Sequence, residues 1–292
     1  MQIEMLADYS CVCGEGPLYH ARERAVYWTD IDTGRLFRFD TESREYRQIY
    51  QGDPVGGFTV QADGSLLLFM DRGAVRVFRD GAIVKTLIDE IPAERDSRFN
   101  DVIADPQGRV FCGTMPTGET PGRLYRLDTD GTLTVVLEGI GCSNGMAFTA
   151  DRKTMYYTDS ATCEIFRFAY DETTGAISDR EVVVVTDEAN GVPDGMTLDT
   201  EGNLWTAKWD GYGVECYSPE GTLLYKLEMP VKICSSCIFG GPEYDDLYVT
   251  TAGGDRKDLN GGFSGALFRV RDVTLNGRPV RGVAEYESRI GL

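Results

Sequence analysis

The chain has 292 residues, 42% of them hydrophobic and 26% charged, an ordinary globular balance with enough apolar material for a full core. Asp and Glu outnumber Lys and Arg 47 to 29, and the resulting net charge of −18 repels nucleic acid and anionic membrane, so neither is expected as a partner. A single histidine, His20, rules out a three-histidine zinc site and leaves a serine triad one candidate base, so hydrolytic chemistry has to come from carboxylates, amides or an oxygen-ligated metal.

The first ten residues carry Glu4 and Asp8 and no apolar run of signal length, and no segment approaches the roughly 18 apolar residues of a spanning helix. The expectation is a soluble, cytoplasmic protein, monomeric or weakly self-associating. Eight cysteines are even in number, but a chain of this length needs no disulfide staples, and they are expected to be reduced. The pair Cys234 and Cys237 has no second pair at zinc-finger spacing and is assigned to a strand.

Along the chain, short β-rich runs recur between turn signals and no long segment keeps apolar residues at helical spacing. The segments beginning at Tyr27, Leu68, Phe111, Tyr156, Leu204 and Leu247 align, with spacings of 41, 43, 45, 48 and 43 residues. Asp/Gly turns precede several of them (Asp63-Gly64, Asp105 to Gly108, Asp199 to Gly202), and a Gly-led alternating strand follows several (from Gly34, Gly122 and Gly265). A period near 44 residues with about four strands per unit predicts an all-β, six-bladed β-propeller of one domain over residues 1–292, because each blade can bury its faces only against its neighbours. Closing the ring requires a strand from one terminus, either residues 2–10 or Val283–Tyr286, to protect the last edge.

Four polar places break the blade pattern: Glu15, Asn100 with Asp101, Asn144 and Asp194. They precede their aligned strands by 12, 11, 12 and 10 residues, which predicts a common height at one end of the central channel. Taken singly, Asn144-Gly145 and Asp194-Gly195 read as tight turns in which Asn and Asp tolerate left-handed backbone. Four at one register read differently, since converging buried carboxylates need a cation or protons to compensate them. An all-oxygen set suits one divalent metal ion, Ca²⁺, Mg²⁺ or Mn²⁺ by preference, with Fe²⁺ and Zn²⁺ possible.

At these residues the sequence resembles the senescence-marker-protein/gluconolactonase/luciferin-regenerating (regucalcin-like) family of sugar lactonases. The matching pieces run in family order: Gly14 to Pro17, Arg98 to Asp101, Asp105 to Arg109, Gly113 to Met115, Ser143 to Met146, Tyr157 to Ser160, Pro193 to Met196 and Cys237 to Gly241. The resemblance implies a six-bladed propeller, a divalent metal in the channel and hydrolysis of a sugar (aldono-) lactone to the aldonic acid. It assigns Glu15, Asn144 and Asp194 as metal ligands and Arg98 and Asn100 as residues that bind substrate hydroxyls. The segment from Pro116 to Pro121 is shorter than the acidic lid of some relatives, and Glu119 is the nearest acid for their substrate-binding glutamate. Lys208, after the Leu204-Trp205 strand, is read as a further substrate-binding candidate at the channel mouth.

The expected mechanism has the metal polarising the lactone carbonyl, with Asp194 as general base toward the attacking water because no well-placed histidine is available. His20, five residues beyond Glu15, is left out of the site. The alternatives are a phosphotriesterase-like hydrolase on the same scaffold and a non-catalytic calcium-binding protein.

Overall fold

Residues 1–118 and 120–291 are described by a computed structural model. After β1 (Gln2–Asp8), the chain lays down strands in groups of four, each group an antiparallel sheet joined by short turns. Blade one is β2 (Gly14–His20), β3 (Ala25–Asp30), β4 (Arg35–Asp40) and β5 (Tyr46–Gln51). Blade two is β6 (Val55–Val60), β7 (Leu66–Met70), β8 (Val75–Arg79) and β9 (Ala82–Ile88). Blade three is β10 (Phe99–Ala104), β11 (Val110–Thr114), β12 (Gly122–Leu127) and β13 (Leu133–Ile140). Blade four is β14 (Ser143–Phe148), β15 (Thr154–Asp159), β16 (Glu164–Asp171) and β17 (Ala176–Val185). Blade five is β18 (Val192–Leu198), β19 (Leu204–Trp209), β20 (Gly213–Tyr217) and β21 (Leu223–Glu228). Blade six is β22 (Cys234–Gly240), β23 (Asp246–Thr251) and β24 (Ala266–Arg271), and its outer strand is β1, paired antiparallel to β24. The six-bladed propeller is therefore closed from the N-terminal side, which gives blade six its fourth strand and removes an open edge.

The outer strands β5, β9, β13, β17 and β21 are exposed or half-buried along most of their length, whereas β2, β6, β14, β18 and β22 are buried along nearly their whole length. The core lies between blades, where large apolar side chains of one sheet meet those of the next. Trp205 and Ala207 of blade five pack with Phe239, Val249 and Phe268 of blade six, and Leu204 of the same β19 packs the other way, with Tyr156 and Val184 of blade four. That alternation is the period of a strand, so successive residues of β19 serve opposite interfaces. Burying one such side chain contributes about 1.5–3 kcal/mol, so it is the repetition around the ring that holds the blades.

The repeated Asp/Gly turns lie together at the end of the channel where the inner strands finish. Asp105 accepts the amides of Gln107 and Arg109, and Asp199 accepts those of Glu201 and Asn203 in the same way. Gly108 and Gly202 then take φ of 87° and 85°, left-handed backbone that other side chains adopt with strain.

The C-terminal segment does not complete a blade. It runs as a strap over these turns: Gly282 donates to Tyr244, Val283 to Leu198, Ser288 to Val60, Arg289 to Gly108 and Gly291 to Thr129, all through backbone amides. Glu287 adds an ion pair to Arg22 of blade one. All eight cysteines are free, and Cys234 and Cys237 lie in β22 as expected. Among the described residues no helix is long and apolar enough to cross a membrane.

Candidate functional site

Each of the six inner strands carries a one-residue irregularity in its pairing near its start. It falls between Glu15 and Leu18 in β2, Val55 and Gly57 in β6, Phe99 and Val102 in β10, Asn144 and Met146 in β14, Pro193 and Met196 in β18, and Cys234 and Ser236 in β22. A bulge bends the strand and re-aims its side chains, and here it does so at the same height in every blade. Glu15, Asn100, Asp101, Asn144 and Asp194 lie in or beside these bulges, at the end of the channel away from the strap.

The aromatic-Thr-Asp repeat explains how equal heights are enforced. Asp30, at the end of β3, accepts the amide of Cys13 at 2.9 Å, two residues before Glu15. Asp159, at the end of β15, accepts the amides of Gly141 and Cys142 at 2.9 and 2.8 Å, two residues before Asn144. The same carboxylate in two blades thus clamps the chain as it enters the inner strand and fixes where the next polar side chain falls.

The glycines of Ser-Asn-Gly-Met and Pro-Asp-Gly-Met are not turn residues. Asn144-Gly145 and Asp194-Gly195 are within β14 and β18, and none of the four has left-handed backbone. They are glycines because neighbouring inner strands crowd them: a β-carbon on Gly145 would come within 2.6 Å of the Asp194 carbonyl, and one on Gly195 within 2.0 Å of Ser236 Oγ. The motif brings adjacent blades into backbone contact around the polar residues it carries.

Glu15, Asn100, Asn144 and Asp194 are all buried, at 4%, 7%, 5% and 4% exposure, so the structure brings these four together as a cluster out of bulk water. Asp101 joins them. Burial pushes the Glu15, Asp101 and Asp194 carboxyls upward, Asp101 to about 7. The Asp101 charge adds to the rise at Glu15, and the Glu15 and Asp101 charges add to it at Asp194. Only the Arg98 guanidinium pulls all three back. Three mutually repelling carboxyls against one cation leave the cluster short of positive charge.

The amides are held in a definite arrangement. Arg98 Nη1 donates to Asn100 Oδ1 at 2.5 Å, and Asn100 Nδ2 donates to Asn144 Oδ1 and to the Ser143 carbonyl, both at 2.7 Å. Arg98 makes no ion pair among the described residues, so its remaining N–H groups are uncommitted. No three or more His, Cys, Asp or Glu side chains among the described residues enclose a metal-sized space by themselves, so an ion here would draw on amide oxygens as well. The donor set fits a hard divalent cation: oxygen atoms, an excess of negative charge and burial that disfavours leaving it uncompensated.

Lys208 is not at the channel mouth. It is fully buried, its Nζ 3.3 Å from Glu215 Oε2, and burial lowers its pKa. The strand alternation accounts for this: with Leu204 and Thr206 it faces blade four, away from the side of β19 that bears Trp205 and Ala207. His20 is buried, its Nδ1 accepting the Glu23 amide and its Nε2 3.7 Å from Glu23 Oε1, apart from the cluster. Glu119 lies outside the described residues; on either side of it Thr117 and Thr120 exchange two backbone hydrogen bonds.

A cavity of about 60 Å³ continues from Asp101 between the inner strands to Glu285 of the strap. A wider cleft, about 910 Å³, is elsewhere, on the outer rim between blades one and two, where Arg38, Arg44, Arg47 and Arg79 are matched by Glu23, Asp40, Glu45 and Asp80. It has no excess of either charge and no share in the cluster.

Comparison with known proteins matches the site's strands throughout. Residues 13–253 match the SMP-30/Gluconolactonase/LRE-like region. The chain is 47% identical to the pentonolactonase XacC of Haloferax volcanii, with all of both chains covered. Among solved structures, a luciferin-regenerating enzyme superposes with a TM-score of 0.88 at 28% identity, covering 99% of each chain. A calcium-binding protein, regucalcin, from Agrobacterium tumefaciens superposes with a TM-score of 0.85 at 25% identity, covering 98% of this chain and 97% of its own.

Proposed function

This chain belongs to the SMP-30/gluconolactonase/LRE-like family, and from that premise we propose that it hydrolyses a sugar lactone to its aldonic acid at the acidic cluster, with one divalent cation held by Glu15, Asn144 and Asp194. The observation that carries the reading is the convergence of buried Glu15 and Asp194 with half-buried Asp101, faced by Arg98 alone, an excess of negative charge that a dication offsets. Bound there, the ion would supply Lewis acidity toward the lactone carbonyl.

The chain's own residues account for the rest. Asp194 is the general base, a carboxylate at the centre of the cluster that takes a proton from the attacking water. Arg98, anchored at one end by Asn100 and open at the other, donates to ring hydroxyls and holds the substrate in a reactive pose. Asn100 keeps that guanidinium aimed across the mouth. Glu119 is carried as a further substrate-binding acid on the sequence alone, and Lys208, fully buried and paired with Glu215, is not assigned to substrate. Because the pentonolactonase of Haloferax volcanii is alike over its full length, five-carbon lactones are the substrates to expect first.

The test is acid release from a panel of pentono- and hexonolactones, using chelator-stripped protein with Ca²⁺, Mg²⁺, Mn²⁺, Fe²⁺ and Zn²⁺ restored singly. Cation-dependent hydrolysis above the spontaneous rate, fastest on a pentonolactone, is the expected result. Folded protein that binds an ion yet hydrolyses no lactone with any of the five would sink the reading, and turnover of a fluorophosphate instead would replace it with phosphotriester hydrolysis.

A further inference from the structure

Ser160 is buried just past the end of β15 and touches two site strands at once. Its Oγ accepts a hydrogen bond from Asn144 Nδ2 at 2.7 Å and lies 2.5 Å from the carbonyl oxygen of Pro193, the residue before Asp194. A carbonyl can only accept, so the serine hydroxyl must spend its single proton there, and only its lone pairs are left for Asn144. The other end of the chain of contacts has the same one-way character. Arg98 can only donate, so Asn100 must offer Oδ1 to it and turn Nδ2 toward Asn144 Oδ1.

The relay Arg98 → Asn100 → Asn144 → Ser160 → Pro193 is therefore fixed in direction from both ends, across blades three, four and five. We propose that Ser160 is a positioning residue that locks the Asn144 side-chain amide with its oxygen toward the cluster and its NH₂ away from it. This goes beyond the cation reading, on which it rests for its consequence: an Asn144 turned the other way would present N–H donors where an oxygen ligand is needed. The hydroxyl also ties the amide to β18, so the Asn144 oxygen and the Asp194 carboxylate keep a fixed spacing. A rotated amide would lose that spacing even in an otherwise folded ring.

The experiment compares wild type with Ser160→Ala and Ser160→Thr, the last keeping a hydroxyl. In metal-free protein, the Asn144 side-chain amide protons, assigned by their absence in Asn144→Asp, are followed by NMR exchange. Titration calorimetry with Ca²⁺ and with Mn²⁺ gives the cation affinity. Exchange at least tenfold faster and cation affinity at least tenfold weaker in Ser160→Ala, with both within about threefold of wild type in Ser160→Thr and unchanged circular dichroism throughout, is the expected outcome. Wild-type exchange in Ser160→Ala would overturn the proposal. A wild-type protein that binds neither ion would overturn the cation reading instead, and the exchange arm would still decide the role of Ser160.

Discussion

Where the inner strands begin, Glu15, Asp101 and Asp194 share their burial with a guanidinium and two asparagine amides in a directed hydrogen-bond relay. Where they finish, the strap brings Glu285 to the small cavity that Asp101 also borders, whose walls are mostly apolar (Leu18, Phe58, Ile103, Met146, Met196 and Ile238), and among the described residues its carboxyl has no hydrogen bond or ion pair. Burial raises the carboxyls at both ends, to about 7 at Asp101 and also to about 7 at Glu285. Desolvation alone therefore does not mark a site. What separates the ends is company: several acids converging with oriented amides create a demand that one cation meets, whereas a solitary acid among apolar groups meets the same penalty by holding its proton.

The largest expected effect breaks the cluster end. Asp194→Asn keeps shape and hydrogen-bonding atoms but removes the general base and a cation ligand, so kcat/KM on the preferred lactone falls by about 10³-fold or more. In chelator the same variant melts a few degrees higher than wild type, because one of three repelling carboxyls is gone. Activity within tenfold of wild type would show that the cluster is not the reaction centre. Next in size is the response to cation. An ion present at about 1,000 times its Kd adds about 4 kcal/mol to wild-type stability, read as a rise in melting temperature that chelator reverses and that Asp194→Asn largely loses. An equal rise in that variant would move the cation elsewhere.

The propeller was legible because its repeat is written in residues that make the turns and the interfaces: Asp/Gly at the finishing end, aromatic-Thr-Asp at the beginning. The height of Glu15, Asn100, Asn144 and Asp194 was legible for the same reason, through their offsets from that repeat. Finer register was not. In blade four Met146 pairs with Tyr157, but in blade five Met196 pairs with Thr206, so Thr206 and not Trp205 is the equivalent of Tyr157. The alignment by aromatic residues slipped by one there, and Lys208, read as following the strand, lies within it. Asp101 was noted beside Asn100 but given no role. In an unbroken strand, consecutive residues face opposite ways, and only the bulge between Phe99 and Val102 lets both belong to one site. The direction of the amide relay depends on Ser160 and Pro193 meeting across blades, which no local pattern announces.

The smallest expected effect sharpens the comparison from the finishing end. Glu285 has its carboxyl raised to about 7 from an ordinary 4.5, with burial as the cause. The sign follows from which state holds the proton. Between about pH 4.5 and 7 the unfolded chain has ionised this group while the folded chain has not, so the folded state loses ground steadily across that window; above about 7 both are ionised and the loss is constant. Glu285→Gln cannot ionise in either state. Its melting temperature should match wild type near pH 4 and exceed it by a growing margin up to pH 7, with the margin level at pH 8. Its lactonase activity should stay within about threefold of wild type, since among the described residues the carboxyl makes no hydrogen bond or ion pair to Asp194 or to any member of the relay. A margin that is flat from pH 4 to 8 would mean that Glu285 is solvated after all, and a large loss of activity would mean that the two ends of the channel are coupled through the inner strands between them.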